Sequence, residues 1–344
     1  MSNLKEVAER AGVALGTASA VLNNKNWVSE ELKRKVLKAS QELKYRPNRV
    51  AKNLKSNVTN TIGTLVTNIN SPFFSQVMKV LSYECHKNGI NLFFSDTNCD
   101  ENIIAKSLND FLEHKVDGIF LLGIDTREQL LRDILLDVEL PIISIEGNYS
   151  IENIDYIQVD AFQGGYIATK HLLELDYFPV SIISGPLNNQ DEIPGKNGWG
   201  RFKGYLKALE DKGVEYNPEY CYKGNFLFDN GLEAIEYFST LNPLPRAIFA
   251  SNDMMAIGAM QAIKEKGLRV PEDIALCGFD NIPEASFVSP MLTTVNLPQE
   301  ELGRMAMEVM INKLRKKDDI TSKKILSVNL VIRQSCGAYL KKIH

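Results

Sequence analysis

The sequence predicts an N-terminal all-α helix-turn-helix headpiece joined to an α/β body of two doubly wound lobes, each on a parallel sheet. Three observations carry this. Residues 1–46 hold three short segments with helix-starting caps and apolar residues at helical spacing. From Thr61 onward, short apolar runs alternate with amphipathic helical stretches, the pattern of strands whose connecting helices cover a parallel sheet. Positive charge gathers at the front: residues 1–57 carry twelve Lys and Arg against five Glu, a local +7, while the remainder carries −11, leaving −4 for the chain.

The headpiece elements follow in order. Asn3 with Glu6 predicts a capping box, and Leu4, Val7, Ala8 and Ala11 fall on one face of a first helix. Gly12 permits a sharp turn. A second helix is expected from Leu15 to Asn23, with Ala18, Val21 and Leu22 inward and Gly16, Thr17, Ser19 and Ala20 outward. In a helix-turn-helix this second helix enters the major groove of DNA. Ser29 suits the N-cap of a third helix, whose positive end faces Glu30 and Glu31. Leu32, Val36, Ala39 and Leu43 form its buried stripe, and Pro47 is expected to stop it.

In the body, strands are expected at 62–66, 90–94, 118–122, 142–145, 157–159, 180–183, 247–250 and 274–277, about nine in all. Ser71-Pro72 starts the first helix and Gly89 ends it. A ligand of such lobes binds beyond the carboxyl ends of the strands, where loops of both meet.

Composition bounds the rest. With 344 residues, 44% hydrophobic and 24% charged, the chain suits two or three globular domains. No apolar run reaches the roughly 18 residues of a membrane span, so no membrane association is expected. Residues 1–10 lack the apolar core of a secretory signal. The five cysteines are scattered without a CxxC pair. Reduced thiols in a cytoplasmic protein, with no disulfide framework and no zinc site, are expected. A basic headpiece on an acidic body is the footprint of local phosphate binding, although an ordinary solvated surface explains charge alone equally well.

The runs Val7-Ala8-Glu9-Arg10-Ala11-Gly12-Val13, Thr17-Ala18-Ser19, Val21-Leu22-Asn23, Val28-Ser29-Glu30-Glu31 and Tyr45-Arg46-Pro47-Asn48 resemble the LacI/GalR repressors. The resemblance continues through Ser71-Pro72-Phe73-Phe74, the stretch from Ser251 to Gly258, Val270-Pro271-Glu272-Asp273-Ile274, Gly278-Phe279-Asp280-Asn281, Ser289-Pro290, Leu292-Thr293-Thr294-Val295, Arg333 and Ser335. It covers nearly the whole chain.

The resemblance implies a DNA-binding transcription repressor whose hold on double-stranded operator DNA is set by a small-molecule effector, most simply a carbohydrate. It also implies a homodimer and a body resembling the type I periplasmic-binding-protein fold. The domains are then a headpiece at 1–46, a hinge helix and linker at 47–59, and an effector-binding and dimerisation domain at 60–344. The family's base-reading positions fall on Leu15, Gly16 and Ala20, none with a side-chain donor for a base edge. More of the specificity is then expected from the hinge and from DNA shape. Thr17 and Ser19 are expected to hold phosphates, and Asn23 closes the set on the second helix. In the hinge, Asn48, Arg49, Lys52 and Lys55 are expected on DNA, and Leu54 matches the family's minor-groove wedge. Eight residues, 48–55, are too few to hold a helix alone in water, so this one is expected to form on binding. Lys52 stands where the family usually has Arg.

Position by position, the resemblance places Phe73, Phe74, Glu146, Trp199, Arg201, Phe226, Asn252 and Asp280 in the effector cleft. Aromatic faces with carboxylates and amides suit a sugar's apolar ring faces and its hydroxyls. Leu297 stands where several relatives have Gln, and the loop 187–197 is longer than in many of them.

Two other readings compete. A sugar-binding transport protein shares the body fold, but the basic headpiece and the lack of a signal argue against it. An enzyme finds no nucleotide-binding glycine motif, no metal-ligand spacing among His86, His114, His171 and His344, and no activated nucleophile. No catalytic residue, cofactor or metal is expected.

Overall fold

A computed structural model describes residues 2–22, 27–45, 58–124, 126–135, 138–147, 151–187, 197–315 and 321–340. The chain divides into two compact units, Met1–Thr59 and Asn60–His344.

In the first unit, α1 (Leu4–Ala11), α2 (Leu15–Leu22) and α3 (Glu30–Glu42) pack around Val7, Ala8, Ala18, Val21, Val28, Val36 and Ala39. The capping box forms: Asn3 Oδ1 accepts from the Glu6 N–H at 3.0 Å, and Glu6 Oε2 accepts from the Asn3 N–H at 3.2 Å. Gly12 takes φ 65°, closing α1 in the left-handed region that favours glycine. Two expectations are corrected. Ala20 does not face outward; it is 7% exposed and belongs to the same buried cluster. A methyl group reaches only one bond from the helix, so larger neighbours overshadow it. Nor does α3 run on to Pro47, which lies outside the described residues. It ends at Glu42, where Lys44 turns to φ 49° and the Tyr45 N–H closes on Ser40 O at 2.9 Å.

In the second unit, lobe one begins with β1 (Thr61–Val66), α4 (Pro72–Lys87), β2 (Asn91–Asp96), α5 (Glu101–Glu113), β3 (Gly118–Leu122), α6 (Glu128–Leu135), β4 (Ile142–Ile145) and β5 (Ile154–Val159). The chain then crosses into lobe two through α7 (Ala161–Glu174), β6 (Val180–Ser184), α8 (Asn197–Asp211), β7 (Cys221–Lys223), α9 (Phe228–Phe238), β8 (Ala247–Ala250), α10 (Asp253–Glu265), β9 (Ala275–Asp280) and β10 (Thr293–Asn296). It returns with α11 (Gln299–Leu314), whose Gly303 lies against Val77 and Val80 of α4. β11 (Lys323–Leu326) pairs with β5, and β12 (Asn329–Val331) with β10. Three crossovers therefore join the lobes, after β5, β10 and β11.

The sheet orders are β11-β5-β4-β3-β1-β2 and β12-β10-β9-β8-β6-β7. The first is parallel throughout; the second departs from the expectation because β12 runs antiparallel. Twelve strands lie among the described residues, against about nine expected. Four strands, β7, β10, β11 and β12, lie outside the expected spans; in β7, β11 and β12 exposed Lys and Asn interrupt the apolar pattern. Strands β1, β3, β4, β6, β8 and β9 are buried along their whole length, which explains their continuous apolar runs.

Candidate functional site

The strand ends of both lobes carry the candidate cleft. In lobe one, Pro72 occupies the first turn of α4 and sends Phe73 and Phe74 from the end of β1. Phe73 is buried in the lobe core, its ring meeting Phe74 edge-on with centroids 5.2 Å apart. Its ring supports that of its neighbour. Phe74 is half-buried and covers Gly123, the residue after β3. A Cβ on Gly123 would come within 2.2 Å of the Phe74 ring.

Glu146 follows β4 with φ 56° and is buried. Its Oε1 accepts from the Val159 N–H at 2.7 Å, tying the ends of β4 and β5 together just before the first crossover. One of its oxygens is thus committed to holding the lobe edge.

In lobe two, Trp199 and Arg201 lie in the first turns of α8. Gly165 of α7 admits the α8 backbone: a Cβ there would lie 2.1 Å from Arg201 O. Arg201 is 5% exposed. Its guanidinium carbon sits 3.8 Å from the centroid of the Phe279 ring and 5.5 Å from that of Phe226, a cation between two aromatic faces. Nη1 donates to Ser251 O, and Nη2 lies 3.5 Å from Asp280 Oδ1. The Arg201 Nε and the Ser251 hydroxyl are buried and have no partner among the described residues. Such groups are costly unless something bonds to them.

Phe226 holds φ 67° after β7, and its ring fills the space over Gly185. Asn252 caps α10 through Oδ1 to the Met255 N–H at 2.9 Å, while Nδ2 donates to Phe226 O at 2.8 Å. Its amide locks the Phe226 turn to α10. Asp280 is the last residue of β9, which runs three residues past the expected strand 274–277, and takes φ 117°. Its backbone carbonyl accepts from Gln299 Nε2 at 2.8 Å, next to the second crossover. Glu146, Phe226, Asp280 and Asn281 all have positive φ. Non-glycine residues in that region store strain, which gathers at ligand clamps.

The electrostatics are those of a desolvated cluster. Burial pushes the Asp280 carboxyl up to about 7, against the pull of Arg201. Burial and the neighbouring Asp280 charge raise Asp253 well above the carboxylate range. Asp253 accepts from the Thr294 hydroxyl at 2.5 Å and from the Ile282 N–H at 2.9 Å. Burial lowers the Arg201 pKa, while the charges of Asp280, Glu146 and Asp253 oppose that. Glu146 of lobe one thus acts on the arginine of lobe two.

Asp253, Ser251 and Phe279 fall outside the expected set. All three stand inside family motifs without being assigned to the cleft, and Phe279 lies past the end of the expected strand 274–277. Leu297 is buried and adds no polar group to the cleft. An open groove of about 570 Å³ lies at the second crossover, lined in part by Leu297, Gln299, Arg304 and Met305. Its openness leaves a small ligand mostly in water, unlike a ligand pocket.

Of the DNA-contact set, Leu15 and Gly16 are exposed at the start of α2, Thr17 and Ser19 are half-buried, and Ala20 is covered. Asn23, Asn48, Arg49, Lys52, Leu54 and Lys55 lie outside the described residues.

Residues 3–48 match the model of bacterial regulatory proteins, lacI family, and residues 170–336 that of the periplasmic binding protein-like domain. The chain is 34% identical to the HTH-type transcriptional repressor PurR of Pasteurella multocida, over 99% of this chain and 100% of the relative. It is equally identical to the ribose operon repressor of Haemophilus influenzae, over 97% and 98%. Among solved structures, a Lac repressor dimer bound to operator and the anti-inducer ONPF superimposes with a TM-score of 0.86 at 25% identity, covering 97% of this chain and 99% of that one. The complex of the transcriptional regulator CelR with cellobiose gives 0.72 at 28%, covering 97% and 100%.

Proposed function

The chain belongs to the lacI family of bacterial regulatory proteins, and on that premise we propose how its cleft controls its grip on DNA. It is a DNA-binding transcriptional repressor under effector control. The effector is a sugar or a sugar-containing metabolite. It lies between Phe74 and Glu146 of lobe one and Trp199, Arg201, Phe226, Asn252 and Asp280 of lobe two. The observation that carries this is Arg201: a buried cation between two aromatic rings, beside Asp280 and under the charge of Glu146. Ring faces and hydroxyls of a sugar match aromatic faces and carboxylates. The relatives support that class, since one is a ribose operon repressor and another regulator binds cellobiose.

The effector bridges the lobes, and the three crossovers let them rotate. The change is carried to the segment 47–59, whose helix forms or melts and so sets operator affinity. On the operator, α2 enters the major groove with Leu15, Gly16, Thr17 and Ser19. Asn23, Asn48, Arg49, Lys52, Leu54 and Lys55 contribute from the end of that helix and from the hinge. Ala20, being covered, offers at most a methyl contact.

The repressor works as a homodimer in the cytoplasm. β2 is an edge strand, and Phe93, Phe94 and the α4 residue Tyr83 are exposed beside it, as is Phe287 in lobe two. An open edge bearing aromatic side chains invites pairing, and a second copy is the occupant we assign.

Isothermal titration with D-ribose, cellobiose and purine nucleosides tests the cleft. One compound is expected to bind the wild-type chain and not Arg201→Met. Binding that survives this substitution moves the site elsewhere.

A further inference from the structure

The second crossover is short. β10 ends at Asn296, and α11 begins at Gln299, with only Leu297 and Pro298 between them. The pyrrolidine ring of Pro298 restricts its φ, so the link has little slack. It joins lobe two, which holds β10, to lobe one, against which α11 packs through Gly303 and through Met310 at Gly118 of β3. Side-chain amides on both sides of the link reach the end of β9. Asn281 Nδ2 donates to Asn296 Oδ1 at 2.8 Å, and Gln299 Nε2 donates to Asp280 O at 2.8 Å. The first bond stays within lobe two, and its sense is fixed. Arg333 Nη2 donates to Asn281 Oδ1 at 2.7 Å; a guanidinium can only donate, so the Asn281 amide nitrogen is left for Asn296. The second bond crosses from the helix on lobe one to a strand end of lobe two. The Leu297 N–H reaches the same Asp280 oxygen only at 3.5 Å.

We propose that Gln299 is a positioning residue for effector control: its amide latches α11 of lobe one to the backbone of Asp280 and carries a shift of Asp280 into the angle between the lobes. The assignment rests on the reading above, in which the effector engages the Asp280 side chain, and extends it. Asp280 holds φ 117°, a strained setting for a residue other than glycine, so a ligand that bonds its carboxyl adds to one side of a close balance. The neighbouring Asn281 is tied into lobe two by Arg333, by Asn296 and by the Thr294 hydroxyl oxygen, which accepts the Asn281 N–H at 3.3 Å. Movement of Asp280 is thus referred to lobe two on that side and handed to lobe one by Gln299. Gln299 bonds the Asp280 carbonyl and not its carboxyl. Its loss is therefore expected to spare effector binding and operator binding taken singly, and to weaken the coupling between them.

Two variants of the full-length chain test this. Gln299→Met keeps the length of the side chain and removes the donor, and Gln299→Lys puts a donor back. The probes are D-ribose, cellobiose, adenosine and guanosine, each titrated by calorimetry and each added to a fluorescein-labelled genomic operator fragment whose anisotropy reports the complex. The expected result is that the compound active on wild type binds Gln299→Met with the same affinity, while its effect on operator affinity shrinks by about threefold or more. Gln299→Lys is expected to recover the wild-type effect, which separates a donated bond from packing at that position. A Gln299→Met chain that responds as wild type does, or a Gln299→Lys chain impaired as much as Gln299→Met, overturns the proposal alone. Loss of compound binding in Gln299→Met would make the residue a ligand contact and likewise overturn it. A wild-type operator complex that none of the four compounds shifts overturns the effector-control reading and this proposal together.

Discussion

Arg201 and Asp280 form the buried ion pair at the centre of the cleft, with Nη2 3.5 Å from Oδ1. Both groups are largely buried, and each lowers the cost of burying the other. The first sits at the start of α8 and the second at the end of β9, so the pair joins two layers of lobe two where the effector is proposed to bind.

Removing the cation leaves Asp280 and the Ser251 carbonyl without it. Arg201→Met should cost about 3 kcal/mol, read as a lower urea midpoint of lobe unfolding. A midpoint equal to wild type would show that the pair contributes nothing to the fold.

Stability should also fall as pH rises. The Asp280 carboxyl stands at about 7 in the folded chain against about 4 in an unfolded one. The folded state therefore holds the extra proton, and the stabilisation is full below about pH 4 and lost as pH rises through about 7. Asp253 shifts in the same direction. Denaturant midpoints at about pH 5 and about pH 8 should differ in that sense, and Asp280→Asn should shrink the difference. An equal difference in the variant would place the titration on another group.

The edge strand β2 makes a separate prediction. Phe94→Asp puts a charge on an exposed ring position of that edge and should shift the dimer toward monomer in sedimentation equilibrium, with the melting transition of the lobe retained. A dimer of undiminished affinity would assign the interface to another face.

Leu54 is the expected minor-groove wedge, read from the hinge sequence. Leu54→Ala should weaken operator binding by about tenfold or more while effector titrations stay as in wild type. Undiminished operator affinity would remove the hinge from the mechanism.

Much of the fold is legible in the amino-acid order alone. The capping box at Asn3 and Glu6, the turn at Gly12 and the buried strands of both lobes follow local rules, because each is decided by neighbours within a few residues. What the sequence hides depends on the rest of the fold. Ala20 reads outward on a helical wheel, yet neighbouring segments cover it. β11 and β12 read as exposed polar stretches because their partners, β5 and β10, come from far along the chain. In the cleft, the eight expected residues come from resemblance, and the structure redistributes their work. Phe73 supports Phe74, and Asn252 fixes the Phe226 turn. Asp253 joins through bonds to Thr294 and Ile282, residues 41 and 29 positions away. No spacing rule reaches that far.

The central claim is that a metabolite in the cleft changes the grip of the headpiece. Its most direct test is the affinity of the full-length chain for a genomic operator fragment, measured by anisotropy with and without each of a set of sugars and nucleosides. The account predicts that one compound shifts that affinity by about tenfold or more in the wild-type chain and leaves Arg201→Met unmoved. An operator complex that no compound shifts, or the same shift in Arg201→Met, would contradict it.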